Sequence, residues 1–187
     1  RFPSVADDAG HYESFYLKLS APAGGRSAWI RHTVHKRPGE RATGALWLTF
    51  FDADAAGPKA AKRQFGPEAV GAPADAYIRI GDAVLGDGRA VGSVESDALT
   101  AGWDLRFSDR HEPFKHLQRD FLYRAPLPRT KLLSPYPNAV FDGRLEVGGE
   151  VIEVDAWRGM MGHNWGTEHG ADQGVQAALD LDARRPS

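Results

Sequence analysis

Alternation of apolar and polar positions organises this chain. Over residues 102–109, Trp103, Leu105 and Phe107 alternate with Asp104, Arg106 and Ser108. A period of two sends one set of side chains to a buried face and the other to water. Short runs rich in β-branched and aromatic residues recur at 13–20, 26–36, 43–52, 76–80, 90–96, 144–147 and 151–157, divided by Gly, Pro and Asp. This is the pattern of a mainly β, antiparallel barrel or sandwich. Hairpin chemistry stands at Pro22-Ala23-Gly24-Gly25, Asp87-Gly88 and Gly148-Gly149, where glycine can take the positive φ of a tight turn.

Some segments depart from strict alternation. Residues 45–51 (ALWLTFF) are apolar almost throughout, which predicts a central strand either covered on both faces or placed under a closing element. Residues 26–36 carry two sets, Trp29, Arg31, Thr33, His35 and Ala28, Ile30, His32, Val34, and the polar members of the first set are expected to point into a cavity. His32 and His35 face opposite ways because their separation is odd. Residues 121–138 contain Pro126, Pro128, Pro135 and Pro137, and a residue without a backbone donor cannot sit in a central strand. An extended segment crossing the barrel is predicted there. Residues 53–76 read as a surface excursion around a short strand at 62–65. A short helix or disordered tail is expected after residue 170, with Val175, Ala178 and Leu179 on one side of residues 173–184.

Composition narrows the function classes. The chain has 187 residues, 42% of them hydrophobic, enough for one domain with a real core. Its 23 basic and 25 acidic residues nearly cancel, which argues against nucleic acid as a partner. With no cysteine, disulfides and thiolate metal sites are excluded, and a reducing, cytoplasmic location is expected. No apolar run approaches the roughly 20 residues of a membrane span. The chain begins at Arg1 rather than Met, so the expectation is either a removed leader or upstream segment or a fragment of a longer sequence.

The chemistry concentrates in GMMGHNWGTEH, residues 159–169. In one reading His163, Glu168 or His169 supplies a proton donor or base, histidine titrating nearest neutrality. In the other the run is a buried turn in which Trp165 plugs the barrel. Its spacing lacks the HExxH arrangement that puts two histidines on one helical face, so no metal is expected. Glu153 and Asp155 share one face of their strand, and burial in a pocket would raise such acids into proton donors. Glu13, beside Tyr12 and Tyr16, presents the same choice between pocket and solvent. The charges of residues 109–120 read as a solvated turn and short helix. No GxSxG, GxxxxGK[ST] or GxGxxG motif is present, so no nucleotide or redox cofactor is expected.

Taken in order, Tyr12-Glu13-Ser14-Phe15-Tyr16, Ala28-Trp29-Ile30-Arg31-His32-Thr33-Val34, Leu46-Trp47-Leu48-Thr49-Phe50-Phe51-Asp52, the Pro-rich link and Trp157-Arg158-Gly159-Met160-Met161-Gly162-His163-Asn164-Trp165-Gly166 resemble the lipocalin-like superfamily. That superfamily includes carotenoid 1,2-hydratase (hydroxyneurosporene synthase) and tocopherol cyclase-like proteins. GHNWG is the most specific block.

The resemblance implies a first lipocalin-like half over 1–169, whose second half is absent, and a tail over 170–187 that is a truncation or frame artefact. It also implies a small apolar, lipid or isoprenoid-type ligand. Trp29, Trp47, Trp103 and Trp165 would form the wall, with Arg31 and His169 as polar contacts. Two functions follow. In a cofactor-free hydratase, cyclase or isomerase, Asp155, Glu168 or Glu13 protonates an alkene with His163 as a further candidate. In a binding module, or a half-domain inactive alone, no chemistry occurs.

Overall fold

The computed structural model describes residues 2–167. Glu168, His169 and the predicted tail lie outside the described residues. Twelve strands follow one another: β1 (His11–Ser20), β2 (Arg26–Lys36), β3 (Thr43–Asp52), β4 (Lys59–Phe65), β5 (Val70–Gly71), β6 (Ala76–Ile80), β7 (Ala83–Gly86), β8 (Arg89–Ser96), β9 (Leu99–Ser108), β10 (Phe114–Lys115), β11 (Thr130–Val147) and β12 (Glu150–Gly166). They form one antiparallel sheet in the order β4-β3-β2-β1-β12-β11-β9-β8-β7-β6-β5, with β10 on β11. β4 returns against β8 and β9, so the sheet is a nearly closed barrel. Among the described residues no helix is long and apolar enough to cross a membrane.

The hairpins follow their turn chemistry. Gly24 and Gly25 join β1 to β2, and Gly148 and Gly149 join β11 to β12, all with φ between 62° and 84°. The apolar positions of each strand then meet inside. Leu17 and Leu19, Ile30, Leu46, Leu48 and Phe50, Ile78 and Ile80, Leu105, and Phe141 and Leu145 belong to one buried cluster. Each such side chain contributes about 1.5–3 kcal/mol on burial. Residues 45–51 are not covered on both faces as expected: Leu46, Leu48 and Phe50 are buried, but Trp47 and Thr49 are only half-buried and Phe51 is exposed, because β3 lies next to the edge strand β4, whose Lys62 stands over the Trp47 ring.

The Pro-rich segment differs from the expectation. Its last part is already strand, because β11 starts at Thr130 and pairs with β12 through Leu133. Pro135 and Pro137 fall in the register shifts Leu133/Tyr136 and Tyr136/Ala139, where a missing donor is tolerated. β9 pairs with β11 only from Val140 onward, so the prolines have no ladder to interrupt on that side.

A bulge in β12 decides which residues face inward. Phe141 opposes Trp157, but Gly143 opposes Val154, so Asp155 and Ala156 together stand opposite Asp142. Ala156 has φ 50°, and its amide donates to Asp142 Oδ1 at 2.9 Å. The extra residue switches the inward set from Ile152 and Val154 to Trp157, Met161 and His163. Opposite the bulge, Gly143 has φ 132°, and a Cβ there would lie 2.1 Å from the Asp104 carbonyl. Gly143→Ala should therefore cost about 3 kcal/mol or more. Gly102→Ala, whose Cβ would meet its nearest neighbour at an ordinary 3.7 Å, should cost less than about 1 kcal/mol. Urea midpoints for the two variants check this, and equal losses would refute the role given to the bulge.

Candidate functional site

Strand parity builds a polar cluster at one end of the barrel interior. His11, Glu13, Phe15, Leu17 and Leu19 alternate along β1 and are all buried. Phe15 sits opposite His32 on β2 and His163 on β12, while Glu13 sits opposite Val34 and Trp165. Directly opposed residues of antiparallel strands share a face, so Glu13, His32 and His163 turn inward together.

Glu13 is the hub. Its Oε1 accepts from His163 Nε2 at 2.7 Å, and its Oε2 accepts from His11 Nε2 at 2.9 Å and the Phe2 amide at 2.8 Å. Glu13 is 3% exposed and His163 2%, so these bonds run in a nearly dry interior. Burial alone would raise the Glu13 carboxyl. The hydrogen bonds from His11 and His163, the charge of His163 and the Phe2 amide outweigh it and hold the group at about 2. Aromatic faces enclose the pair. The His163 ring stacks on Phe15 at 4.0 Å and 3°, and on Trp165 at 4.5 Å and 23°.

This arrangement divides labour between the two groups. Glu13 stays a carboxylate through the ordinary pH range, so it orients and balances charge rather than donating a proton. The imidazole beside it is the group left to carry the proton. Among the described residues no set of three or more histidine and carboxylate side chains is placed to hold a metal ion.

His32 stands deeper and has no polar partner. It is 0% exposed, and both ring nitrogens lack hydrogen bonds, as does the buried Nε1 of Trp103, whose ring meets His32 edge-on at 5.9 Å. Burial pushes His32 down from 6.5 to about 4, keeping it neutral.

The predicted site residues separate into four groups. Glu13, His163, Trp103 and Trp165 lie on the inner face, Trp165 only half-buried. Trp29, Arg31 and Trp47 do not: Ala28, Ile30, His32 and Val34 form the buried set of β2, which turns Trp29 and Arg31 to the outer face with Trp47 opposite Arg31. The expectation that the first set points into a cavity is therefore corrected. Apolar residues outnumber polar ones in the second set, and burying that set costs less. Asp155 is exposed in the β12 bulge, apart from the Glu13 cluster. Glu168 and His169 lie outside the described residues.

The GMMGHNWG run is not a turn but the end of a strand. Its glycines serve close approach: a Cβ on Gly162 would sit 2.2 Å from the Tyr16 ring, and one on Gly159 would sit 1.8 Å from the Lys18 carbonyl. Sequence reasoning missed His11 and paired Glu13 with Tyr12 and Tyr16, which face the other way. The odd-numbered series from His11 to Leu19 was the available signal.

No family model matches the chain. It is 33% identical over 162 residues to the uncharacterised proteins MT0513 and Rv0493c of two Mycobacterium tuberculosis strains, covering 84% of this chain and 46% of each of those proteins. The chain thus spans about half the length of the curated relatives it matches. The crystal structure of the AttH candidate NE1406 from Nitrosomonas europaea superposes with a TM-score of 0.60 at 14% identity, over 91% of this chain and 56% of that one. This likeness is one of fold, and the nearly closed antiparallel barrel fits a lipocalin-like, calycin-type architecture.

Proposed function

We propose that this barrel binds a small apolar ligand of lipid or isoprenoid type beside the Glu13–His163 pair, and that the pair moves a proton in a cofactor-free hydratase, cyclase or isomerase step. The observation that carries the reading is the 2.7 Å contact of a buried carboxylate with a buried histidine stacked between Phe15 and Trp165. In a dry site a charged hydrogen bond is strong, and aromatic faces stabilise a cation forming on an alkene. The resemblance of the GHNWG run to carotenoid hydratases and cyclase-like proteins supports the same chemistry. In this reading His163 exchanges the proton and Glu13 positions it. Asp155 has no part in it, because it faces solvent.

A second reading, a binding module without chemistry, is favoured by one feature. Glu13 already accepts three hydrogen bonds, one of them from the N-terminal segment, as a structural latch would. Incubation with carotenoid, terpenoid and fatty-acid extracts, followed by mass spectrometry of bound material and products, separates the two. The enzyme reading expects a product that His163→Gln abolishes while binding persists. Bound ligand without product supports the binding module. If no apolar compound is retained, both fail.

A further inference from the structure

The outer face of β4-β3-β2-β1-β12 carries a second constellation that the interior site does not use. Lys62, Trp47, Arg31 and Tyr16 stand opposite one another across four strands, with Trp29 and Lys18 in the neighbouring row. Where these five strands pair, the outward positions hold Lys18, Arg31, Lys62 and Arg158 and no carboxylate. Lys62 Nζ lies 3.9 Å from the centre of the Trp47 ring, and Lys18 Nζ lies 5.3 Å from that of Trp29. Arg31 donates to Ser14 Oγ at 2.9 Å and to the Tyr12 hydroxyl.

Two facts point to a guest. The indole N–H groups of Trp29 and Trp47 are buried without an acceptor, and an indole can only donate. Beside Trp47 runs a groove of about 690 Å³ lined by Tyr12, Thr33, Arg37, Arg41 and Lys62 among others. The carboxylate in its lining, Glu40, already lies 3.9 Å from Arg37. The unmet chemistry of this face is therefore donors and cations beside apolar aromatic surface.

We propose that this groove binds a small amphiphilic acid, one molecule with a carboxylate or phosphate head on an apolar body. The head rests on Lys62, Arg41 and the Trp47 N–H, and the body lies along the aromatic side chains. Lys62 is exposed and stands over the Trp47 ring, so its flexible stem is free to turn toward the head. A volume of this size suits one small molecule. This site is on the opposite face of the sheet from the Glu13 pair and does not depend on the function proposed for that pair.

Tryptophan fluorescence titrations with dodecanoate, dodecyl phosphate and dodecanol test it, alongside sedimentation with phosphatidylserine vesicles. At least one acid should bind tenfold or more tighter than dodecanol, and its affinity should fall as salt rises. The two acid arms identify the head. Lys62→Met should weaken the acid about tenfold and leave dodecanol unchanged. Trp47→Phe, which keeps a ring but loses the donor, should weaken the acid severalfold. His163→Gln should leave the acid's affinity unchanged, which separates this groove from the interior site. Circular dichroism confirms that each variant is folded. Equal affinity for acid and alcohol, indifference to Lys62→Met, or binding to vesicles without binding of the free acids would overturn the proposal.

Discussion

Glu13→Ala is expected to lose about 3–5 kcal/mol of folding stability at pH 7, the cost of removing one partner from a buried charged cluster. The alanine would leave His11 and His163 without their shared acceptor, and would free the Phe2 amide from the barrel end. Glu13→Gln keeps the shape and one acceptor oxygen, so it should lose less. The pH dependence has a definite sign. A carboxyl lowered from 4.5 to about 2 contributes stability that is full above 4.5 and is lost as pH falls toward 2. Urea unfolding at pH 7 and pH 3 should show wild type and Glu13→Ala converging in acid. A constant gap between them would mean that the carboxylate charge is not what holds this end together.

His32→Leu should stabilise the protein, contrary to the usual effect of a core substitution. His32 is lowered from 6.5 to about 4 by burial, so between those values the unfolded chain takes up a proton that the folded one refuses. Stability present above pH 6.5 is therefore lost as pH falls toward 4, by about 3 kcal/mol at 1.36 kcal/mol per unit. Leucine removes that loss. It also removes two buried nitrogens without partners, each worth about 1–3 kcal/mol when unsatisfied. Denaturation midpoints between pH 7 and pH 4.5 should fall in the wild type and stay level in His32→Leu. A lower midpoint for the leucine variant at pH 7 would show that His32 is satisfied by a guest or a water that the barrel needs.

The candidate site was only half legible because reading it required knowing which face of each strand is buried. On β9 the answer was plain, since Trp103, Leu105 and Phe107 oppose Asp104, Arg106 and Ser108. On β2 both faces carry a mixture, and the aromatic Trp29 drew attention to the side that proved to be outside. On β12 no reading of parity could have succeeded. The bulge at Asp155 and Ala156 inserts a residue midway, so an alternation followed from Ile152 would turn His163 outward.

Local pattern by itself determined the architecture: antiparallel strands at nearly the observed places, the glycine hairpins, and the absence of any long helix among the described residues. These depend on alternation and turn chemistry, which act over a few residues. Tertiary structure alone decided that His11, Glu13 and His163 meet. Glu13 and His163 come from opposite ends of the described chain, and their contact needs the pairing of β1 with β12 and the phase set by the bulge. It also decided that Trp29, Arg31 and Trp47 form an outer face rather than a cavity wall, because the barrel buries whichever face of β2 costs less to remove from water.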